Sequence, residues 1–238
     1  MSPISTAHTS RGLLVAEQFG PTFQGEGPSA GQQALFIRLS TCNLSCSWCD
    51  TPYTWDWTRF DHRAESRRIS AEELVAWALA RDTTLVVVTG GEPLIQHTGL
   101  VPLVSGLAEA GRRVEIETNG TIPPAAELSA AVERFNVSPK LSCSGLPEGQ
   151  RLIPTVLQAF AASGKAVFKF VVTAAEELQE VAELEASYGL APVWVMPEGT
   201  SQQAVLAGMR ALAEEALARG WNLSSPMHVL LWGDTRGR

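Results

Sequence analysis

Short apolar runs alternate along this chain with longer stretches in which apolar residues recur every three or four positions. The runs are rich in Val, Ile, Leu and Phe, and this pattern predicts buried strands between helices. Such alternation is typical of a parallel sheet, so the pattern predicts an α/β fold. The predicted strands are residues 13–19, 35–39, 85–89, 114–117, 135–137, 167–172, 193–196 and 228–232.

Helix boundaries are marked by capping residues and glycines. A hydroxyl side chain followed three residues later by Glu or Gln predicts a helix start, and Gly after a helical stretch predicts its end. The predicted starts pair Ser70 with Glu73, Thr173 with Glu176, and Thr200 with Gln203, and the predicted stops are Gly111, Gly164, Gly189 and Gly220. No low-complexity linker interrupts the pattern, so we expect a single domain over residues 13–238 after a flexible tail at residues 1–12.

Composition narrows the class of function. A chain of 238 residues is long enough for one α/β domain with a sizeable core, and its net charge of -7 argues against a nucleic-acid partner. No apolar run reaches the roughly 18 residues of a membrane span, and the first dozen residues lack a signal-peptide core. Four Cys, three of them crowded together, do not form a disulfide framework. We expect a cytoplasmic protein that acts on a small molecule, without a membrane partner.

Polar motifs follow five of the predicted strands. The carboxyl ends of parallel strands meet at one edge of the sheet, where α/β enzymes place their chemistry. We therefore expect these five loops to surround one cavity. The motifs are the cysteine loop after residue 39 and the segments 90–93 (Gly-Gly-Glu-Pro), 117–120 (Glu-Thr-Asn-Gly), 138–140 (Ser-Pro-Lys) and 196–199 (Met-Pro-Glu-Gly).

The most informative motif is Cys42-x3-Cys46-x2-Cys49. A zinc site usually draws on four Cys or His ligands, whereas three thiolates suit a 4Fe-4S cluster with one open iron. Radical SAM enzymes hold their cluster with this spacing and leave the fourth iron for S-adenosylmethionine (SAM). The alternatives are a degenerate zinc knuckle and three reduced structural thiols.

Together these motifs make the chain resemble the 7-carboxy-7-deazaguanine synthases of the radical SAM superfamily, from about residue 15 to the C-terminus. The cysteine motif and the Gly-Gly-Glu-Pro loop are similar to the superfamily in general. Residues 21–28 (Pro-Thr-Phe-Gln-Gly-Glu-Gly-Pro), 36–39, 49–51, 117–120 and 138–140 resemble this family in particular. The Gln-Gly-Glu-Gly segment also occurs in activases of glycyl radical enzymes.

The resemblance implies an incomplete, TIM-like β/α barrel of the radical SAM type with the cluster at its mouth. It also implies a reaction, the conversion of 6-carboxy-5,6,7,8-tetrahydropterin to 7-carboxy-7-deazaguanine with loss of ammonia. The implied cofactors are a 4Fe-4S cluster, SAM and Mg2+, and the implied partners are a reductant such as flavodoxin or ferredoxin and a second copy of the chain in a homodimer. Whether the product feeds queuosine or a deazapurine natural product stays open.

Roles for the cofactor residues follow from their chemistry and from the resemblance. The cluster ligands are Cys42, Cys46 and Cys49. Two glycines let the backbone approach the SAM amino group, with a plain turn as the alternative. Lys140 could pair with the SAM carboxylate, and the alternative is that its side chain is simply solvated. The predicted SAM-binding residues are Gly90, Gly91, Glu92, Asn119, Ser138 and Lys140.

The implied substrate has a carboxylate at one end and an aminopyrimidinone edge at the other. Arg38 lies among apolar residues of a predicted strand, where an unpaired charge is costly, and a guanidinium binds a carboxylate with two hydrogen bonds. A structural ion pair is its alternative role. Glu117 can accept two N–H groups of the aminopyrimidinone edge. The other substrate-binding residues implied by the resemblance are Gln24, Glu26, Thr89 and His228.

Several of these assignments have a plainer alternative. Thr51 coordinates Mg2+ in the resembled family, together with substrate oxygens and water, but it could instead cap a turn after Asp50. His228 could be a core histidine, and residues 24–26 could form an exposed loop. Cys143 completes no motif and is interpreted as an ordinary thiol, while Met227 stands where the family commonly has a basic residue. Two other classes remain as alternatives, a glycyl radical activase and a non-catalytic cluster-binding homologue.

Overall fold

The computed structural model describes residues 12–238, and within them nine strands form one sheet. The strands are β1 (Leu13–Phe23), β2 (Gln33–Leu39), β3 (Arg67–Ile69), β4 (Leu85–Gly90), β5 (Arg113–Thr118), β6 (Arg134–Val137), β7 (Ala166–Val172), β8 (Val193–Pro197) and β9 (Asn222–Leu223). Their order across the sheet is β3-β1-β2-β4-β5-β6-β7-β8-β9. Every neighbouring pair from β2 to β9 is parallel, whereas β1 is antiparallel to both of its neighbours. The sheet has two edges, β3 and β9, and so forms the open barrel that the resemblance implied.

Helices connect the parallel strands and cover the outer face of the sheet. They are α1 (His62–Glu65), α2 (Ala71–Leu79), α3 (His97–Glu109), α4 (Ala126–Ala131), α5 (Glu148–Arg151), α6 (Pro154–Ala162), α7 (Leu178–Tyr188), α8 (Gln202–Ala218) and α9 (Met227–Trp232). Strand residues such as Val88, Ile116 and Phe168 pack against helix residues such as Leu103 and Phe160 in one core cluster.

The inner face of the barrel changes from apolar to polar along the strands. In β2, Ala34 and Phe36 belong to a small inner apolar cluster, and Arg38 follows two residues later. In β4, Leu85 and Val87 belong to the same cluster, and position 89 is again polar. Because side chains alternate between the two faces of a strand, this order puts polar side chains inside the barrel at the carboxyl ends of the strands.

The predicted capping box before α2 is confirmed. The Ser70 hydroxyl accepts from the Glu73 N–H at 3.1 Å, and the Glu73 carboxylate accepts from the Ser70 N–H at 2.9 Å. The start of α8 lies one residue later than predicted, because Ser201 rather than Thr200 caps it and accepts from the Ala204 N–H. The four predicted glycine stops all have the positive φ of a left-handed cap, from 66° to 77°.

The predicted capping pair of Thr173 with Glu176 is wrong. Thr173 instead donates from its backbone N–H and its hydroxyl to Glu177, at 2.8 Å and 2.5 Å. A 3-10 turn, Ala175–Glu177, then leads into α7. The extra turn displaces the acidic partner by one position, which the spacing rule does not anticipate.

The predicted strand at residues 228–232 is also wrong, since this segment lies in helix α9. Pro226 begins the turn, and its carbonyl accepts from the Val229 N–H at 2.9 Å. The last strand, β9, ends before Pro226, which has no N–H to offer a sheet. Strand β3 was not predicted, because its residues are largely exposed and two of the three are arginines.

The predicted tail falls almost wholly outside the described part of the chain, apart from Gly12. Within residues 12–238, the helices are all too short or too polar to cross a bilayer.

Candidate active site

A cavity of about 750 Å³ opens at the carboxyl ends of the parallel strands. It is where an open α/β sheet presents its loops, and its size suits small molecules. The structure brings 15 of the 16 sequence-predicted site residues to its wall: Gln24, Glu26, Arg38, Cys42, Cys46, Cys49, Thr51, Thr89, Gly90, Gly91, Glu117, Asn119, Ser138, Lys140 and His228.

The cysteine loop follows β2 and forms one side of the cavity. The backbone N–H of Leu44 points at the Cys42 sulfur at 3.4 Å, and the indole N–H of Trp55 donates to the Cys49 sulfur at 3.2 Å. Such N–H groups stabilise cluster thiolates and help to set the cluster's potential. Burial raises the pKa of the Cys42 thiol to about 11, so this thiolate needs a positive partner such as iron at neutral pH.

Three cysteines line the cavity, a number that suits a 4Fe-4S cluster with one open iron. Nowhere in residues 12–238 do three or more His, Cys, Asp or Glu side chains converge on one point that could hold an ion. In a 4Fe-4S cluster each thiolate binds a different iron, so the sulfurs surround the cluster instead of meeting at one atom. The three cavity-lining cysteines fit a 4Fe-4S cluster in which the fourth iron is left open.

Gly90 and Gly91 allow the loop after β4 to cross the cysteine loop. A Cβ atom at Gly91 would lie 2.1 Å from the Thr41 carbonyl oxygen and 2.8 Å from Cβ of Cys42. Gly90 has a φ of 148°, and a Cβ there would lie 2.1 Å from the Leu39 carbonyl oxygen. These contacts explain both glycines without any ligand, and they tie the predicted SAM-binding loop to the cluster loop.

The side chain of Glu92 was predicted to contact the SAM amino group, but the structure places it elsewhere. It is fully buried and does not line the cavity. Its carboxylate accepts from the Thr118 hydroxyl at 2.8 Å, from the Asn119 N–H at 2.7 Å and from the Leu94 N–H at 3.0 Å. Burial raises the pKa of Glu92, although these hydrogen bonds oppose the shift. In this structure Glu92 joins the loops that follow β4 and β5.

Three predicted SAM-binding residues, Asn119, Ser138 and Lys140, lie on the wall beside the cysteine loop. The amide of Asn119 donates to the Asn43 side-chain oxygen at 3.0 Å, which connects β5 to the cysteine loop. Lys140 donates to the Ser138 hydroxyl at 3.0 Å, and its ammonium lies 5.4 Å from the ring centre of Trp48. The wall therefore offers amide, hydroxyl and cationic groups next to the cluster loop.

A polar row crosses the inner face of four adjacent strands, and it consists of Arg38, Thr89, Glu117 and Asn136. Arg38 on β2 is the register partner of Thr89 on β4, and Glu117 on β5 is the register partner of Asn136 on β6. The Thr89 hydroxyl donates to Glu117 at 2.8 Å, and the Gln24 amide donates to the other Glu117 oxygen at 3.1 Å. The row puts a cation at one end and hydrogen-bond acceptors at the other.

Arg38 makes an ion pair and also faces the cavity. Its Nε donates to Glu17 at 3.0 Å, and Glu17 also accepts from the Tyr53 hydroxyl at 2.7 Å and from Arg236 at 2.5 Å. Burial opposes the charge on Arg38, but the surrounding Tyr53, Asp50 and Glu17 raise its pKa. The ion pair that was the alternative role is present, and it fixes one edge of the guanidinium while the group still lines the cavity.

Glu26, which is half-buried, forms an ion pair with the buried Lys169 of β7. Burial alone would lower the pKa of Lys169, but Glu26 and Glu117 raise it to about 12. Burial likewise opposes ionisation of Glu26, yet Lys169 and His228 hold its pKa below the usual range. His228 packs on the same loop, because a Cβ at Gly25 would lie 2.7 Å from its Nδ1.

Thr51 places its hydroxyl beside a carboxylate at the cavity wall. Its Oγ1 lies 3.4 Å from Oδ1 of Asp50 and 3.7 Å from the Cys49 sulfur. Its carbonyl accepts from the Thr54 hydroxyl at 2.8 Å, so the turn role that was the alternative is also present. Two neighbouring oxygens of this kind suit Mg2+ when substrate and water supply the remaining ligands.

Sequence reasoning missed Asn136 and Lys169, which line the cavity, and Glu17, which does not line it but holds Arg38. Lys169 carries the same signal that identified Arg38, a charge within an apolar strand, and could have been found in that way. Glu17 lies on a strand of mixed polarity, and Asn136 on a strand of four residues, so neither stands out before the register between strands is known.

The open parallel barrel and its three-cysteine loop define a radical SAM enzyme, and the family described as "Radical SAM superfamily" matches residues 36–141. The 7-carboxy-7-deazaguanine synthase of Pyrobaculum aerophilum is 38% identical, with 91% of this chain and 94% of that protein covered. That of Hyperthermus butylicus is 36% identical, with 92% of each covered. The crystal structure of QueE from Escherichia coli matches with a TM-score of 0.70 and 28% identity, covering 90% of this chain and 93% of that one. The chain belongs to the 7-carboxy-7-deazaguanine synthase family, which confirms the resemblance and, with it, a 4Fe-4S cluster and SAM as cofactors.

Proposed function

We propose that this cavity holds SAM and 6-carboxy-5,6,7,8-tetrahydropterin together and contracts the pterin ring to 7-carboxy-7-deazaguanine. The atoms balance, since the product is the substrate less one molecule of ammonia. The observation that carries the proposal is the polar row beside the cysteine loop, because its cation and its acceptors complement the two ends of this substrate. The reaction belongs to 7-deazapurine biosynthesis of the queuosine type.

The chain's own residues divide the cavity into two parts. Cys42, Cys46 and Cys49 would hold the 4Fe-4S cluster, and the wall formed by Asn119, Ser138 and Lys140 would contact SAM. When bound, the cluster and SAM supply a one-electron cleavage that yields a radical able to abstract hydrogen. The protein surrounds this chemistry with buried side chains, which exclude competing hydrogen donors and hold the substrate in reach.

The polar row orients the substrate. Glu17 accepts the hydrogen bond from Nε of Arg38. The two Nη groups are then the edge of the guanidinium that can bind the substrate carboxylate. Glu117, held by Thr89 and Gln24, accepts two N–H groups of the aminopyrimidinone edge. Glu26 and His228, which pack on the neighbouring loop, close the same side of the cavity. The carboxylate end thus lies toward β2, and the amino end toward β5.

The decisive experiment is an anaerobic assay of the reconstituted holoenzyme with SAM, dithionite and the carboxytetrahydropterin. We expect about four iron and four sulfide per chain, with formation of 7-carboxy-7-deazaguanine. Replacing Cys42, Cys46 or Cys49 with Ala should abolish both the cluster and SAM cleavage, whereas Cys143→Ala is the matched control and should retain both. A zinc-only protein, or one that cleaves SAM but leaves the pterin intact, would contradict the proposal.

Mg2+ completes the proposed site through Thr51. A neutral hydroxyl binds a hydrated cation weakly, so we expect Mg2+ to bind appreciably only when substrate is present. Thr51→Ala should lose most of the stimulation of turnover by Mg2+ and still cleave SAM. Full dependence on Mg2+ in this variant would move the ion to other ligands, with Asp50 the next candidate.

The remaining partners are proposed from the resemblance. They are an electron donor of the flavodoxin or ferredoxin type and a second copy of the chain. Reduction of the cluster by purified flavodoxin or ferredoxin would test the electron donor. Sedimentation of the holoenzyme would test the homodimer.

A further inference from the structure

Asn136 presents a buried side-chain oxygen that lacks a hydrogen-bond donor in the described part of the chain. The residue is 3% exposed and lines the cavity, and its Oδ1 has no hydrogen-bond partner among residues 12–238. The nearby Gly27 N–H does not fill this role, because it donates to the Ser224 hydroxyl at 2.8 Å. A buried acceptor without a partner is costly, and nearly all such groups in folded proteins are satisfied.

The orientation of the Asn136 amide is fixed from behind. Its Nδ2 donates to Oε2 of Glu115 at 2.9 Å, and the other oxygen of Glu115 accepts from the Ser29 hydroxyl at 2.5 Å and from Arg134 at 2.7 Å. A carboxylate oxygen accepts hydrogen bonds and has none to donate. The amide therefore cannot flip without setting oxygen against oxygen, and Oδ1 stays on the side away from Glu115.

The position of Asn136 in the polar row indicates what the oxygen meets. Asn136 is the register partner of Glu117 on the adjacent strand, and both line the cavity. An exocyclic amino group carries two hydrogens, and a carboxylate that also binds the adjacent ring N–H takes only one of them. A second acceptor beside the carboxylate is then well placed for the other hydrogen.

We propose that Oδ1 of Asn136 accepts the second hydrogen of the substrate amino group that Glu117 binds, and that it thereby selects 2-aminopyrimidinone rings. This inference rests on the proposed function and deepens it. A substrate that lacks the amino group leaves Oδ1 of Asn136 unsatisfied and Glu117 with one hydrogen bond fewer, and one that carries an oxygen at this position sets a further acceptor against both.

The test compares two ligands on the holoenzyme with SAM and without a reductant, so that binding is measured without turnover. The ligands are the carboxytetrahydropterin and its analogue without the 2-amino group, and the measurement is the ratio of their dissociation constants. We expect the wild type to favour the amino ligand, and Asn136→Leu to reduce this preference roughly tenfold. Should Asn136→Leu fail to fold, Asn136→Ala removes the same oxygen without added bulk.

Asn222→Leu is the matched control, because it makes the same substitution at an exposed asparagine of β9 that does not line the cavity. It should keep the wild-type preference. An unchanged preference in both Asn136 variants, or an equal loss in Asn222→Leu, would overturn the role of Asn136 and leave the proposed function standing. If the wild type bound neither ligand, the proposed function itself would fail.

Discussion

At the scale of the residue, Arg38 shows how one side chain can be both a structural partner and a ligand contact. Glu17 binds Nε of Arg38, while Tyr53 and Arg236 bind Glu17, so the guanidinium is held in one orientation. A guanidinium held by one edge presents the other as a two-pronged donor, which a lysine cannot imitate. The ion pair therefore supports the substrate contact and does not compete with it.

We predict that Arg38→Ala weakens pterin binding by roughly two orders of magnitude, because the substrate carboxylate loses a partly buried cation. SAM binding should change little. Arg38→Lys should have a pterin affinity between those of the wild type and Arg38→Ala, since it keeps the positive charge but not the two-pronged guanidinium donor. Arg113→Ala, which removes an arginine paired with Glu133 outside the cavity, should bind both ligands as the wild type does. Titration calorimetry of the non-reduced holoenzyme would measure each, and full pterin affinity in Arg38→Ala would make Arg38 purely structural.

The pair of Glu26 and Lys169 gives a prediction about pH. The pKa of folded Glu26 lies below its ordinary value of 4.5, so its contribution to stability is present above about pH 4.5 and is lost as the pH falls through the folded pKa. The pKa of Lys169 is raised above 10.5, so its contribution is present below that pH and is lost in strong alkali. Between these limits both groups are charged.

Removing only one charge of this pair should therefore be costly at neutral pH. We expect Lys169→Met to lower the free energy of unfolding by about 3–5 kcal/mol at pH 7, because it leaves a half-buried carboxylate unpaired. The loss should shrink near pH 4, where Glu26 takes up a proton in the variant, and adding Glu26→Gln should recover part of it at pH 7. Denaturant unfolding at the two pH values would measure both effects. Equal losses at pH 7 and pH 4 would show that the charge of Glu26 is not the cause.

At the scale of the element, the end of β4 and the cysteine loop form one unit. The N–H of Gly91 donates to the Leu39 carbonyl at 3.1 Å, and the N–H of Glu92 donates to the Thr41 carbonyl at 2.8 Å. A methyl group at Gly91 would strike the Thr41 carbonyl oxygen at 2.1 Å. The clash is with backbone, so relief requires the cysteine loop to move.

We predict that Gly91→Ala lowers cluster incorporation and not merely SAM affinity. Gly149→Ala is a suitable control, since a Cβ at Gly149 meets nothing within 4 Å and its backbone does not need glycine. Iron content and the visible absorbance of the cluster after anaerobic reconstitution would separate the two variants. A Gly91→Ala protein with full iron content and weak SAM binding would limit this glycine to the SAM contact.

The elements differ in how far the sequence predicts them, for physical reasons. Seven predicted strands lie within β1, β2 and β4 to β8. The six that pair in parallel, β2 and β4 to β8, are dense apolar runs because a parallel strand is covered on its outer face. The segment at residues 228–232 has the same composition but becomes a helix, since a proline and the sheet edge precede it. Motif residues on loops, and Lys169 as a charge within an apolar strand, could be predicted one by one, whereas Asn136 and Glu17 depend on which side chains the register brings together.

At the scale of the whole molecule, the cavity wall is assembled from nearly the entire fold. Residues from β1 through the segment after α9 line it, from Phe19 to Arg238. Arg236 connects that last segment back to β1 and α1 through Glu17 and Glu65, at 2.5 Å and 2.8 Å. Ligands bound at such a place contact groups that are distant in sequence and meet only in the folded chain.

The last prediction follows from this distribution. A ligand that binds only the folded state at 100 times its dissociation constant stabilises that state by about 2.7 kcal/mol. For a domain of this size each kcal/mol raises the unfolding midpoint by roughly 2–4 °C, so we expect SAM and the pterin each to raise it by about 5–10 °C. Arg38→Ala should lose most of the pterin increment at the same ligand concentration and keep the SAM increment. Thermal unfolding of the anaerobic holoenzyme, without reductant, would measure both. A pterin increment that survived in Arg38→Ala would place the substrate carboxylate away from β2, and with it would reverse the orientation of the ring along the polar row.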